Sequence, residues 1–179
     1  MANGSAASST ADFARTVDEV LKSGKGLNEE NLQKIAQEFS RLFSVKLDEV
    51  ALLELSHDSA VLHFLYPLKL RKVGSIPMST TNSLAVRTAR DKRPEMINNF
   101  SSQKHPTIFE SVDLQGGNQE RHPIQKIMSV PLLLDSKSIG VVQISRKGKS
   151  PLTAGADFSI RDLTALMSTA GVLAKCFKK

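Results

Sequence analysis

Four histidines, one cysteine and scattered carboxylates are the side chains of this 179-residue sequence with the most evident chemistry. His105 and His122, with Glu110, Asp113 and Glu120, fall in one stretch and offer the imidazoles and carboxylates that hold metals or polar ligands. Their spacing matches no metal-site pattern, and each of the two histidines precedes a proline, which by itself favours extended loop backbone. No metal is therefore predicted. His63 alternates with Val61 and Leu65 and reads as a hydrogen-bonded core histidine. Cys176 stands alone, which excludes an internal disulfide, dithiol chemistry and any multi-cysteine metal site; it reads as a small buried hydrophobe. Arg87, Arg90 and Arg93 recur every three residues, as on a solvated helix face rather than a phosphate clamp. No nucleophile with a paired base can be assembled, so the chain is not expected to be an enzyme.

These residues must be positioned by elements that the hydrophobic pattern outlines. The strongest signal is a hairpin. Ile127, Met128, Val130 and the leucines 132–134 form one apolar run, Asp135-Ser136-Lys137-Ser138 supplies turn chemistry, and residues 139–144 form the returning strand. A second hairpin covers 49–55 and 60–66, turning at His57-Asp58-Ser59; shorter strands are expected over 72–78 and 96–99. Helical spacing appears at Phe13, Val17, Val20 and Leu21 behind a cap at Thr10, and at Leu32, Ile35, Ala36, Phe39, Leu42 and Phe43 behind Asn28. It appears again over 83–92, and over a closing helix from Ser159 with Leu163, Leu166, Met167, Ala170, Leu173 and Phe177 in register. Asp162 stands three residues after Ser159 as an acidic capping box.

The fold class that follows is α+β: a central antiparallel sheet of five to six strands with the N- and C-terminal helices segregated to one face. Residues 1–9 read as a disordered tail, 10–26 as an N-terminal helix and linker, and 27–179 as the main domain. Residues 100–125 form a connection longer than the roughly 12–15 residues usual for structureless loops, and this points to a lid or a binding segment. The hydroxyl and amide side chains of residues 79–82, before the helix over 83–92, would cap it, and its first-turn amides would suit an anion.

Composition narrows the partners. The formal charge of +6 would suit an anionic partner, but the basic residues are scattered, Trp is absent and aromatics make up only 5%, so nucleic acid is not expected. No window has the roughly 18 apolar residues of a membrane span and no secretory h-region follows the start, which predicts a cytoplasmic protein without membrane attachment.

Taken together, residues from about Asn28 to Phe177 resemble a GAF domain. The likeness rests on Ile127-Met128-Ser129-Val130-Pro131-Leu132, on Ile139-Gly140-Val141-Val142-Gln143-Ile144, on Phe158-Ser159 and on the final amphipathic helix. It departs at the turn, where 135–138 lacks the family's usual glycine. The resemblance implies a PAS-like sensory fold, with the N- and C-terminal helices on one face of the sheet and a loop-covered small-molecule pocket on the other, under the 100–125 connection; members bind cyclic nucleotides, bilins, haem or small metabolites, and many only hold dimers together. Phe100, Ile108, Phe109 and Met128 are the expected apolar lining, with Thr81, Asn82, Asn98 and His105 as polar contacts. Cyclic-nucleotide-binding members carry spaced Asn, Lys, Phe, Asp and Glu; the like positions here read Arg146, Lys147, Phe158, Asp162 and Leu163, which matches three of the five. Lys147 and Asp162 would form the pocket-closing ion pair of that pattern. No cysteine stands near the lid for covalent bilin attachment, and none for the chemistry of the methionine sulfoxide reductases of this fold.

The expected function is a non-catalytic sensory or regulatory domain that binds an unidentified small molecule, an anion being compatible with the charge. No cofactor is named and none is covalently bound. Signalling would run through homodimer geometry to a separate effector protein, since the chain ends two residues after Phe177. The alternative is a structural dimerisation module with no physiological ligand; a cyclic-nucleotide-binding domain is the weaker variant.

Overall fold

The computed structural model describes residues 9–72, 74–102 and 122–178. Helix α1 spans Thr10–Ser23; Ser9 rather than Thr10 is its cap, in a reciprocal capping box with Asp12. It stops at Gly24, whose φ of 66° suits a residue without a side chain. Helix α2, Glu29–Phe43, opens on Asn28, whose side chain accepts from the Asn31 amide at 2.9 Å. Phe13, Val17 and Val20 of α1 are buried, and the Phe13 ring centre lies 4.5 Å from that of Phe39. Burial of each such side chain is worth about 1.5–3 kcal/mol, enough to hold a helix that would be marginal alone.

Strands β1 (Val50–Leu55), β2 (Val61–Tyr66), β3 (Ser75–Pro77), β4 (Glu95–Ile97), β5 (Ile124–Leu134) and β6 (Lys137–Lys147) form one antiparallel sheet in the order β3-β2-β1-β6-β5-β4. The expected α+β class is therefore observed, with the long β5–β6 hairpin at its centre. Where the turn lacks glycine, Asp135 and Ser136 themselves take left-handed φ values of 49° and 64°. Short polar residues are the L-residues that tolerate this best, and the Lys92 ammonium donates to the Ser136 carbonyl at 2.8 Å.

Both faces of the sheet are covered. On one side, Val50, Leu52, Met128, Val130, Leu132, Val142 and Ile144 pack beneath α1, α2 and the closing helix α4 (Ile160–Leu173). Ser159 and Asp162 form the capping box that the sequence predicts for α4. On the other side, Ala51, Leu53, Leu62, Phe64, Ile127 and Val141 pack against α3 (Leu84–Asp91) and Phe100. His63, expected in the core, is exposed on β2, between the buried Leu62 and Phe64.

Candidate functional site

Period-two alternation divides the β5–β6 hairpin unequally. Its helix-side positions are apolar from Met128 to Leu132 and at Val142 and Ile144, with the basic pair Lys126 and Arg146 at one end, whereas the α3-side positions include Ser129 and Gln143, which face each other across the ladder, and Ser145. All three are buried. A buried polar group costs free energy unless it is bonded, so polar residues at the centre of a sheet require a reason.

Ser129 and Gln143 are joined to α3 by a directed chain of hydrogen bonds. The Gln143 amide donates to Ser129 Oγ at 3.1 Å, Ser129 Oγ lies 2.7 Å from Thr88 Oγ1, and Thr88 donates to the Leu84 carbonyl at 2.8 Å. With the Thr88 proton on Leu84, the Ser129 proton goes to Thr88, and every hydroxyl in the chain is used. Gln143 spends one of its two amide hydrogens here, leaving hydrogen-bonding capacity at the end of the chain. Around this polar line lie Leu84, Ala85, Phe100, Ile127 and Val141. An apolar surface with a few placed polar groups is the usual composition of a small-molecule site.

Phe100, expected as lining, is 2% exposed and belongs to this α3-side cluster. It opens a short 3₁₀ turn, Phe100–Ser102, where Ser101 Oγ donates to Gln125 Oε1 at 2.5 Å and Gln125 in turn donates to the Gly148 carbonyl at 2.9 Å. His105, Ile108 and Phe109 lie outside the described residues, as do Glu110, Asp113 and Glu120. Met128 sits elsewhere than expected. It is fully buried beneath the helices, one residue out of phase with Ile127, and the sheet separates it from Phe100. Thr81 and Asn82 are exposed, and the cap of α3 is Ser83, whose hydroxyl accepts from the Val86 amide at 3.3 Å.

Asn98 acts as a backbone clamp. Its side-chain amide accepts from the Phe158 amide at 2.9 Å and donates to the Phe158 carbonyl at 3.1 Å, as a neighbouring strand would. Two basic side chains hold the same approach to α4. Lys126, almost fully buried, reaches the Gly155 carbonyl at 2.6 Å and Asp157 at 2.7 Å. Arg146 donates to the Ala156 and Phe43 carbonyls, and its guanidinium carbon lies 4.5 Å from the centre of the Phe158 ring. The predicted Lys147–Asp162 pair does not form. Lys147 Nζ donates to the Asp48 carbonyl at 2.9 Å, and the Asp162 carboxylate accepts from the Ser159 amide and hydroxyl.

Arg87, read as solvated, forms a two-pronged pair with Glu95 at 2.6 and 2.7 Å that ties α3 to β4, and the hydrogen bond to Glu95 pushes the guanidinium pKa up. Cys176 is half-buried in the 3₁₀ turn Ala174–Phe177 on the helix side, and burial pushes its thiol pKa up. Among the described residues no group of His, Cys, Asp and Glu could hold a metal ion, and no helix is long and apolar enough to cross a membrane. Sequence reasoning did not single out Ser129 and Gln143. The available signal was two polar side chains within the apolar runs 127–134 and 139–144, paired across a hairpin.

The family model of the GAF domain matches residues 28–177. The chain belongs to the GAF domain family. Solved structures agree on the fold. The GAF domain of a phosphoenolpyruvate-protein phosphotransferase from Acinetobacter has a TM-score of 0.65 at 16% identity, over 98% of this chain and 94% of that one. The GAF domain of the corresponding Coxiella burnetii protein gives 0.68 at 12% identity, over 96% and 94%. A free methionine-R-sulfoxide reductase from Neisseria meningitidis, solved with its substrate, gives 0.60 at 17% identity, over 94% and 89%. A comparison with curated proteins gives no match. At these identities the likenesses establish the GAF fold alone.

Proposed function

We propose that this GAF domain is a non-catalytic regulatory module that binds a small molecule on the α3 side of its sheet. The observation that carries this reading is the buried line Gln143–Ser129–Thr88, set among apolar side chains and ending in an amide with bonding capacity left over. A ligand presenting an acceptor or donor to Gln143 would complete the line. Its binding would reach α4 through Asn98, which lies two residues before Phe100 and holds the backbone just ahead of the α4 cap. Cys176, with its raised thiol pKa, belongs to the opposite face, which supports a role without catalysis.

The test is native mass spectrometry of the purified protein and of Gln143→Leu. A stoichiometric small-molecule adduct on the parent chain, lost from the variant, supports the reading; an adduct unaffected by the variant refutes this placement. A second reading, a dimerisation module without a ligand, is favoured by Leu21, Ile160 and Met167, large apolar side chains left exposed on α1 and α4. A concentration-dependent dimer carrying no adduct, converted to monomer by Met167→Lys, would select that reading.

A further inference from the structure

The two central ladders end differently at one end of the sheet. β1 follows β6 only as far as the pair Glu54 and Gly140, whereas β6 continues along β5 to Lys137. In that last stretch Ile139 is an extra residue between the pairs Leu132↔Gly140 and Leu133↔Ser138. Such a bulge bends the strand and re-aims its side chains. A cleft of about 650 Å³ opens between this segment, the β1–β2 turn and the end of α3. That volume is in the range of small-ligand sites.

The walls of the cleft have two characters. Leu55, Met78, Ile139 and Phe177 supply apolar surface, while Arg90, Lys92 and Lys137 supply positive charge. Glu54 also lines it, and Arg90 is paired with Asp91 at 2.9 Å. Asp58, on the β1–β2 turn, is folded back onto the Ser56 hydroxyl and the Ala60 amide. Among the residues that line the cleft, with Asp91 set against Arg90, one positive charge is in excess, and Lys137 is exposed at the rim. Between the two characters lies Ser138, whose Oγ is buried with no hydrogen-bond partner among the described residues. A hydroxyl left in that state costs about 1–3 kcal/mol, which a ligand oxygen placed beside it would remove.

We infer that this cleft is a ligand site separate from the α3-side site, and that it takes a small organic acid: an apolar body against Leu55, Met78, Ile139 and Phe177, and one carboxylate received by Ser138 and Lys137. An apolar wall selects for the body, the single excess charge for a monoanion, and the unpartnered hydroxyl for an acceptor at that point.

The experiment is a fluorine-19 NMR titration of the full chain with 4-(trifluoromethyl)benzoate, using 4-(trifluoromethyl)benzyl alcohol as the uncharged control. The acid is expected to saturate and to bind about tenfold more tightly than the alcohol, the effect of one charge-assisted hydrogen bond. Lys137→Glu should remove that preference. Ser138→Val suits a strand and deletes the unpartnered hydroxyl; it should melt no lower than the parent and bind the acid about tenfold more weakly. The inference is overturned if the acid does not saturate, if acid and alcohol bind alike, or if Lys137→Glu has no effect. It is also overturned if Gln143→Leu abolishes acid binding, because the probe would then occupy the α3-side site.

Discussion

Replacing Gly140 by alanine should unlatch the centre of the sheet. Gly140 lies on β6 between β1 and β5, paired with Glu54 on one side and Leu132 on the other. A methyl group there would meet Leu132 Cδ1 at 3.1 Å and the Leu53 carbonyl carbon at 3.3 Å, and would overlap the Leu53 carbonyl oxygen. The leucine methyl can swing away. The carbonyl oxygen cannot, because it belongs to the backbone of β1, and it would have to retreat by roughly 1 Å to reach the roughly 3.3 Å of an ordinary C···O contact. Overpacking of this kind costs about 1–3 kcal/mol, and weakening an adjacent ladder bond adds about 1 kcal/mol. Alanine's conformational advantage over glycine returns about 0.5–1 kcal/mol, so the net expectation is a loss of about 1–3.5 kcal/mol. At about 2–4 °C per kcal/mol for a chain of this size, the melting temperature should fall by about 2–14 °C. Gly171→Ala is the internal control. That glycine lies in α4 with nothing within 4 Å of an added methyl, and the substitution should stabilise the protein by about 1 kcal/mol. Urea titration of both variants measures the two signs together. A Gly140→Ala midpoint equal to or above that of the parent would refute the close-approach argument.

Other changes probe other joints. Asn98→Ala removes both bonds to the Phe158 backbone and should cost about 1–2 kcal/mol, with faster hydrogen exchange concentrated in the first turn of α4; uniform acceleration across the sheet would contradict the clamp. Ser136→Gly relieves a left-handed residue in the central turn and should raise stability by about 0.5–1 kcal/mol in a thermal melt, a fall being the contrary result. Because burial raises the Cys176 pKa, its thiolate should form at higher pH than an ordinary thiol, so the rate of disulfide-reagent labelling should climb through a pH range displaced upward from that of a free thiol. A profile centred at or below the ordinary value would show that the thiol is not desolvated.

Much of this architecture was legible because it is periodic. The α2 and α4 stripes, the Ser159–Asp162 box and the β5–β6 hairpin each repeat a local rule over many residues, and each is found where the pattern placed it. β3 and β4 are three residues long, too short to show alternation, and their edges moved accordingly. Met128 shows a different limit. Both it and Ile127 are apolar and fully buried, since both faces of the sheet are covered, so hydrophobicity alone carried no information about which of them points toward α3. Asn98 and Lys147 were read as ligand or ion-pair groups because their partners are remote. The carbonyls they bond lie 60 and 99 residues away, beyond the reach of any local pattern.

The polarity of the α3 side is better understood through what the helix side lacks. Beneath α1, α2 and α4 the middle of the sheet contributes Val50, Leu52, Val130, Leu132, Val142 and Ile144, a stretch with no hydrogen-bonding demand and hence no preferred register beyond shape, the bonded side chains Lys126 and Arg146 lying at its end. On the opposite face, the chain from Gln143 through Ser129 to Thr88 fixes one orientation of α3 against the hairpin, and the Arg87–Glu95 pair fixes its rotation against β4. That pair is about one-third exposed, so its contribution is geometric more than energetic, at about 1 kcal/mol or less. α3 is thereby held by directional bonds at two points on a face otherwise held by apolar contact. A ligand that bonded Gln143 would act on the end of a chain already aligned through Ser129 and Thr88. The displacement it caused would then be read by α3 as a change in hydrogen-bond direction, which a purely apolar face could not transmit.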